Sequence, residues 1–290
     1  MGFKSNSRNL AIAAAALVAV SAAAVTPAAA GVVVFSNVKG SWSDSTPVAG
    51  ITIANGDPTS TASWGNGTAA GGYHQSSYKF TGAGAVTPDL GDGDSAGPFQ
   101  IGEFQHNNWP ITGASLTSIK LAFTADITVD GDLIGTKTFD FFFTHHETPN
   151  AGGAGGACAY GGVSGDSNNK FGCSDNVTVN SNSLNNMFTV GADTYTLEIA
   201  GFLVGTDFVT NFLTKESGYE EVCVTSGWKK KKKCHKEERA YDNKAGVMAE
   251  VSMITSAVPE PSTWAMMIVG FGAVGSMVRS ARRRNAFVAI

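Results

Sequence analysis

Charge is scarce in this chain: 15% of its 290 residues are Asp, Glu, Lys or Arg. Cations are scarcer still outside one run. Between Gly31 and Val258 there are 14 Lys and Arg against 23 Asp and Glu, a balance of −9. Seven of those 14 cations fall between Lys229 and Arg239. A body this acidic has little to offer a phosphate backbone, so nucleic-acid binding is disfavoured. No C-x-x-C pair occurs among the four cysteines, which argues against a structural zinc finger. H-E-x-x-H and a phosphate loop are absent, so zincin and P-loop chemistry have no support. Long helical periodicity is missing before Val258, and no apolar run reaches the 20 or so residues that a bilayer core asks for.

What is there begins with two removable ends. Lys4 and Arg8 precede the apolar run Leu10–Val20, and "SAAAVTPAAA" follows to Ala30. A charged start, a short apolar core and an A-x-A site read as a secretory signal peptide over residues 1–30, implying Sec export. The other end, residues 257–290, carries Trp264–Val278, an apolar run of 15 residues, followed by Arg279, Arg282, Arg283 and Arg284. It is short for a permanent span, and the arginines would hold its end in the cytoplasm.

Between the ends, residues 31–256 alternate with period two. From Ile119 to Val129 the apolar positions are Ile119, Leu121, Phe123, Ala125, Ile127 and Val129. "KTFDFFF" repeats the pattern through Phe139, Phe141 and Phe143, and "DGDLIG" (130–135) joins the two as a hairpin connection. Further strand segments are "VVVFSNV", "GITIA", "SSYKF", "PFQIGEF", "DNVTVNS", "YTLEI", "YEEVCVTSGW" and "GVMAEVSMI". Many short strands separated by Gly, Asn, Asp and Ser turns predict an all-β domain, a jelly-roll-like β-sandwich. In an exported chain Cys158, Cys173, Cys223 and Cys234 suggest disulfides; of three pairings, the local one closes two short loops and is preferred. The first pair would pin a glycine-dense excursion, Asn150–Cys173. The second would place the lysine run on a solvated, mobile tongue.

Candidate chemistry is thin. His145 and Glu147 share one side of a strand end and could join His106 in a two-His, one-carboxylate metal site. The alternative, which the sequence favours, is that Thr144, Glu147, Thr148 and Asn150 bond the backbone where the strand turns. "PDLGDGDSAG" places Asp89, Asp92 and Asp94 ahead of Glu103, a poor EF-hand, though a weak calcium site on an acidic loop fits an extracellular domain. Calcium is therefore a possible cofactor, and no other is expected. Trp64 and Trp109 lie by turns and could stack on sugar rings; the alternative for tryptophan in a sandwich is the core. The lysine run could bind an acidic polysaccharide or an anionic lipid.

Two resemblances sharpen this. Pro259, Glu260 and Pro261, then Trp264 and Ala265, then a glycine-bearing run and the arginines Arg279, Arg282, Arg283 and Arg284 resemble the PEP-CTERM sorting signal in its PEPxxWA form. That implies a transient stay in the inner membrane and cutting by an exosortase, with release or transfer to the cell surface of a bacterium that makes extracellular polysaccharide and biofilm. Within Ala62–Glu216, "ASWGNGT", "SSYKF", "FQIGEFQHNNWPIT", "FFFTHHETPN", "LEIAGF" and "FLTKE" together resemble the choice-of-anchor K and THxN domains, with Gln105 standing where the motif has threonine, before His106, Asn107 and Asn108. These imply a surface β domain and supply no catalytic residue. The expected function is a non-catalytic surface or matrix protein. The alternatives are a glycan-binding module and a polysaccharide-acting enzyme using His106, His145 and Glu147.

Overall fold

The computed structural model describes residues 31–90, 94–181, 186–191, 193–226, 231–255 and 261–286. The signal-peptide expectation falls outside them, as do Asp92, Pro259, Glu260, Lys229 and Lys230. Ala29–Ser256 forms one compact unit, and the helix Pro261–Ala286 belongs to another.

The first unit is all-β. Ser118–Val129 shows why: alternate residues are buried from Ile119 to Val129 without a break, the signature of a strand with one face on a core. Its partner Asp132–His146 buries Phe139, Phe141 and Phe143 while Phe142 stays 40% exposed. The turn between them is tighter than the sequence suggested. Asp130 (φ 53°) and Gly131 (φ 89°) make a two-residue connection, and both positive φ values suit the hairpin's right-handed twist. The expected connection residues 132–135 already belong to the strand, with a bulge between Leu133 and Gly135.

A six-stranded antiparallel sheet runs in the order Asn211–Thr214, Asp175–Ser181, Asp132–His146, Ser118–Val129, Val33–Thr46, Ala85–Val86. A second sheet runs Met187–Val190, Asp193–Val204, Lys244–Thr255, Ser95–Asn107, Ser76–Gly82, Thr59–Trp64, Ile51–Ala54, with Asp207–Val209 beside Asp193–Val204. The two pack face to face over one apolar core. Phe104 of the second sheet meets Phe143 of the first at 5.2 Å between ring centroids and Trp42 at 6.4 Å; Tyr78 meets Trp42 at 5.9 Å. Burial of each such ring contributes about 1.5–3 kcal/mol, which is what holds two sheets of low charge together. This is a β-sandwich.

Both disulfides are local. Cys158–Cys173 closes the glycine-rich excursion, and Cys223–Cys234 joins Gly218–Ser226 to Lys231–Arg239 in a separate two-stranded ribbon. All four cysteines are thus consumed, and no thiolate remains for zinc. The lysine tongue is more ordered than the sequence suggested. Lys231, Lys232 and Lys233 continue the strand, exposed, opposite Ser226, Thr225 and Val224 rather than other cations. Neutral residues opposite the lysines spare the ribbon direct cross-strand repulsion. A two-stranded ribbon is only marginally stable alone, so the disulfide carries much of its order. A Cys223→Ser/Cys234→Ser variant should therefore be cut by trypsin within the lysine run while the sandwich stays intact. Mass spectrometry of a timed digest checks this; equal resistance of variant and parent would refute it.

The helix Pro261–Ala286 exposes its described apolar side chains, among them Trp264 (54%), Met266 (72%) and Phe271 (73%). Of the expected sorting-signal residues, Pro261, Trp264, Ala265, Arg279, Arg282, Arg283 and Arg284 all fall on this helix, Pro261 as its first residue. The helical segment is therefore longer than the apolar run Trp264–Val278: it continues through the arginine cluster, where a bare apolar span would have ended. Among the described residues no helix is long and apolar enough to cross a membrane.

Candidate functional site

Several strands carry their inward-facing alternation past the last apolar residue into polar ones. Phe143 is followed on the same face by His145 and Glu147, Phe104 by His106 and Asn108, and Phe212 by Thr214 and Glu216. Val177 is preceded by Asp175, and Phe80 by Tyr78 and Ser76. The period of two cannot stop at the end of the apolar run, so these side chains are driven into the interior together. They form a polar layer: His106, Asn108, Asp175 and Thr214 are 0% exposed, Glu216 1% and His145 3%.

The geometry is compact. The His106 and His145 rings stand 5.0 Å apart, centroid to centroid, at 87°. Nitrogen atoms of both and an oxygen of Asp175 all lie within 4.8 Å of one another. His145 Nε2 is 3.2 Å from Glu147 Oε2 and 3.8 Å from Asp175 Oδ2. The outer ring nitrogens are held by hydroxyls: His145 Nδ1 by Tyr78 Oη at 2.7 Å, and His106 Nδ1 by Thr214 Oγ1 at 2.7 Å. Trp64 stacks on His106 at 5.6 Å and packs edge-on to His145 at 5.3 Å. Asp175 Oδ1 accepts from the Thr148 backbone N–H at 2.7 Å. Asn243 clasps the layer from behind, donating to the His106 and Lys215 carbonyls at 3.2 and 2.9 Å.

What the layer lacks is a fixed positive charge. Among the described residues Asp175 has only His145 within ion-pair distance, and Glu216 has no lysine or arginine partner. His106 Nε2, Asp175 Oδ2 and both Glu216 carboxyl oxygens are buried without a well-aligned hydrogen bond, although the Asn108 amide is near enough to pull both carboxyls down. Burial raises the Glu216 carboxyl to about 10, helped by the charges of Asp175 and Glu147. Burial, then Glu147, pushes Asp175 well above the carboxylate range. His106 is pushed well below the usual imidazole range by burial and by His145. Tyr78 is raised well above the usual phenol range by burial, then by Asp175 and Glu147.

The anticipated trio is therefore partly brought together. His106 and His145 converge, and Glu147 reaches His145, but Glu147 also accepts from Ser115 Oγ at 3.1 Å. The fully buried carboxylates of the layer, Asp175 and Glu216, were missed. The signal that could have found them was the inward phase of Val177 and Phe212 continued by two residues. The backbone-bonding alternative holds for Thr148, whose hydroxyl donates to the Cys173 carbonyl at 3.1 Å. His146 points the opposite way, to Tyr160.

Trp64 and Trp109 are 0% and 6% exposed, so neither presents a face on which a sugar could stack. Asp89, Asp94 and Glu103 are described, but the acidic loop between them runs partly outside the described residues. No G-x-S-x-G motif was expected, yet that spacing occurs at Gly93–Gly97. It forms no nucleophile elbow, because Ser95 is exposed and opens the strand Ser95–Asn107 rather than a strand-to-helix turn.

A sandwich with a closed interior, followed by a separate C-terminal helix bearing Trp264 and the arginines Arg279, Arg282, Arg283 and Arg284, defines an all-β protein with a tail built for handling rather than for the fold. Residues 257–284 match the PEP-CTERM protein-sorting motif. That motif supports export, processing by an exosortase and a cell-surface destination. No curated protein matches the chain.

Proposed function

We propose that the chain works, after removal of both ends, as a non-catalytic protein of the cell surface or extracellular matrix. The observation that carries this is a PEP-CTERM motif placed behind a separately folded β-sandwich. The likeness of Ala62–Glu216 to choice-of-anchor K and THxN domains agrees with a displayed β domain. The histidines and carboxylates that would serve an enzyme are enclosed, with His106 and Asp175 at 0% exposure, so a polymer has no access to them. Deleting residues 257–284 should leave the protein off the cell surface and shift its processed mass. Unchanged display with an unchanged mature mass would overturn the sorting claim.

Association with extracellular polysaccharide would run through the ribbon Gly218–Arg239. Lys231, Lys232, Lys233 and Lys236 are exposed on it, on a body that is otherwise acidic. Clustered ammonium groups on an exposed ribbon attract polyanions at long range, and salt screens that attraction. Co-sedimentation with an acidic polysaccharide should fall several-fold between 50 and 300 mM salt, about the range over which the Debye length drops below 10 Å. Replacing the four lysines with glutamine should remove it. Equal pelleting of parent and variant would refute this route.

A further inference from the structure

The geometry points to a divalent transition-metal site, zinc in type, made by His106 Nε2, His145 Nε2 and Asp175 Oδ2 and joining the two sheets of the sandwich. His106 stands on Ser95–Asn107 of the second sheet; His145 and Asp175 stand on neighbouring strands of the first. A bound ion would cross-link the faces where apolar packing gives way to polar groups.

Three observations carry this. The first is spacing. Ligands about 2.1 Å from a tetrahedral zinc stand about 3.4 Å apart. His145 Nε2 and Asp175 Oδ2 are 3.8 Å apart, and one nitrogen of each histidine and an oxygen of Asp175 all lie within 4.8 Å of one another. The closing-in required is at most about 1.4 Å, within reach of side-chain rotation.

The second is the proton on His106. In the tautomer with its hydrogen on Nδ1, His106 donates to Thr214 Oγ1 at 2.7 Å and the hydroxyl turns its own hydrogen to the Asp175 carbonyl at 3.5 Å. That tautomer leaves Nε2 as a lone pair, and Nε2 is the ring atom that is buried and unpartnered. A buried lone pair beside the Asp175 carboxylate gains nothing without a cation between them. A histidine whose outer N–H is fixed by a neighbour is the usual arrangement behind a metal ligand. Tyr78 Oη holds His145 Nδ1 at 2.7 Å, and with a metal on Nε2 the ring hydrogen moves to Nδ1 and the phenol oxygen accepts it.

The third is charge. Asp175 Oδ2 and the Glu216 oxygens are buried with no lysine or arginine beside them among the described residues, and the Asn108 amide, which pulls both carboxyls down, does not offset their burial. A dication with two neutral imidazoles balances two carboxylates, and Glu147, whose Oε2 is 3.2 Å from His145 Nε2, is placed to complete the coordination. Two imidazole nitrogens favour zinc and its neighbours over calcium or magnesium, which prefer oxygen throughout. The enclosed setting makes the site structural rather than catalytic.

The test uses the exported protein purified without chelator. Elemental analysis should find about one transition-metal ion per chain, and stripping should lower the melting temperature. Reloading with Co2+ should give the visible absorption of a tetrahedral nitrogen–oxygen site. Asp175→Asn and His106→Gln should lose that spectrum. Thr214→Val keeps all three ligands and should weaken Zn2+ binding about 10–100-fold, the usual effect of losing an outer partner. If the ligand variants fail to fold, Thr214→Val and the parent's metal content decide. Absence of stoichiometric Zn2+ or Co2+ uptake by the stripped parent would overturn the site. So would a Co2+ spectrum unchanged in folded ligand variants, or affinity unchanged in Thr214→Val.

Discussion

Phe104→Ala is expected to cost about 3–5 kcal/mol of unfolding free energy, enough to leave a marginally stable domain largely unfolded at 37 °C. Phe104 is 0% exposed and touches rings from both sheets: Tyr78 at 4.7 Å, Phe143 at 5.2 Å, Phe202 at 5.8 Å, Phe212 at 6.0 Å and Trp42 at 6.4 Å between centroids. Alanine removes the transfer gain of the ring and leaves a cavity bounded by side chains from opposed sheets, which cannot close together without moving whole strands. Edge-on contacts with Tyr78 and Trp42 add about 0.5–1.5 kcal/mol per pair beyond area burial. The control is Phe142→Ala. Phe142 sits among buried phenylalanines but is 40% exposed, and its loss should cost about 1 kcal/mol or less. Urea titrations followed by tryptophan fluorescence separate the two; similar midpoints for both variants would show that the sheets are not joined through Phe104.

That contrast between neighbouring phenylalanines was legible in the sequence, because period-two burial is a local rule. "KTFDFFF" already divides Phe139, Phe141 and Phe143 from Phe142, and Ile119–Val129 follows the same rule without exception. The all-β class followed from repeating that rule between turn signals. Strand order did not, because pairing between Lys244–Thr255 and Ser95–Asn107 spans well over 100 residues and leaves no local trace. The site was half legible for the same reason. His145 and Glu147 share a strand face by rule, but Asp175 is fixed near them by the pairing of His145 with Val177 and His146 with Asn176. Glu216 follows Asn211–Thr214, which joins the same sheet. Trp64 and Trp109 taught the converse lesson. Nearness to turns in sequence placed them as surface candidates, yet Trp64 ends a strand whose inward phase, Ser60 and Ala62, carries it to the core. The tail was the most legible part, since a sorting motif is read by another protein as a linear pattern and owes little to the fold.

Glu216 should make the chelator-stripped protein lose stability as pH rises, by on the order of 3 kcal/mol between pH 6.5 and 8.5. Its carboxyl is held at about 10 in the folded chain, against 4.5 for the ordinary group. The folded state therefore keeps a proton that the unfolded state releases, and its advantage is complete below 4.5 and declines as pH climbs towards 10. Asp175, also raised, acts in the same direction. His106 opposes both. Its depressed value means that the unfolded chain takes up the proton first, so its contribution is present above about 6.5 and is lost as pH falls below it. Between 4.5 and 6.5 His106 offsets part of the loss due to the two carboxyls, and the slope should steepen above that window. Tyr78, raised by the same burial, keeps its proton throughout and supplies no slope there. Glu216→Gln replaces a carboxyl that must stay protonated with an amide that needs no proton, so it should make the alkaline limb shallower, leaving the slope of Asp175, and match the parent to within about 1 kcal/mol only near pH 4.5. Added Zn2+ should reverse the ranking at pH 8.5, since an ion stabilises the ionised carboxylate and gives nothing comparable to the amide. Urea midpoints at pH 6.5 and 8.5, with and without chelator, read all four states. Equal midpoints for the stripped parent at the two pH values would show that the carboxyl is solvated or paired, and the polar layer would lose its account as a buried charge deficit.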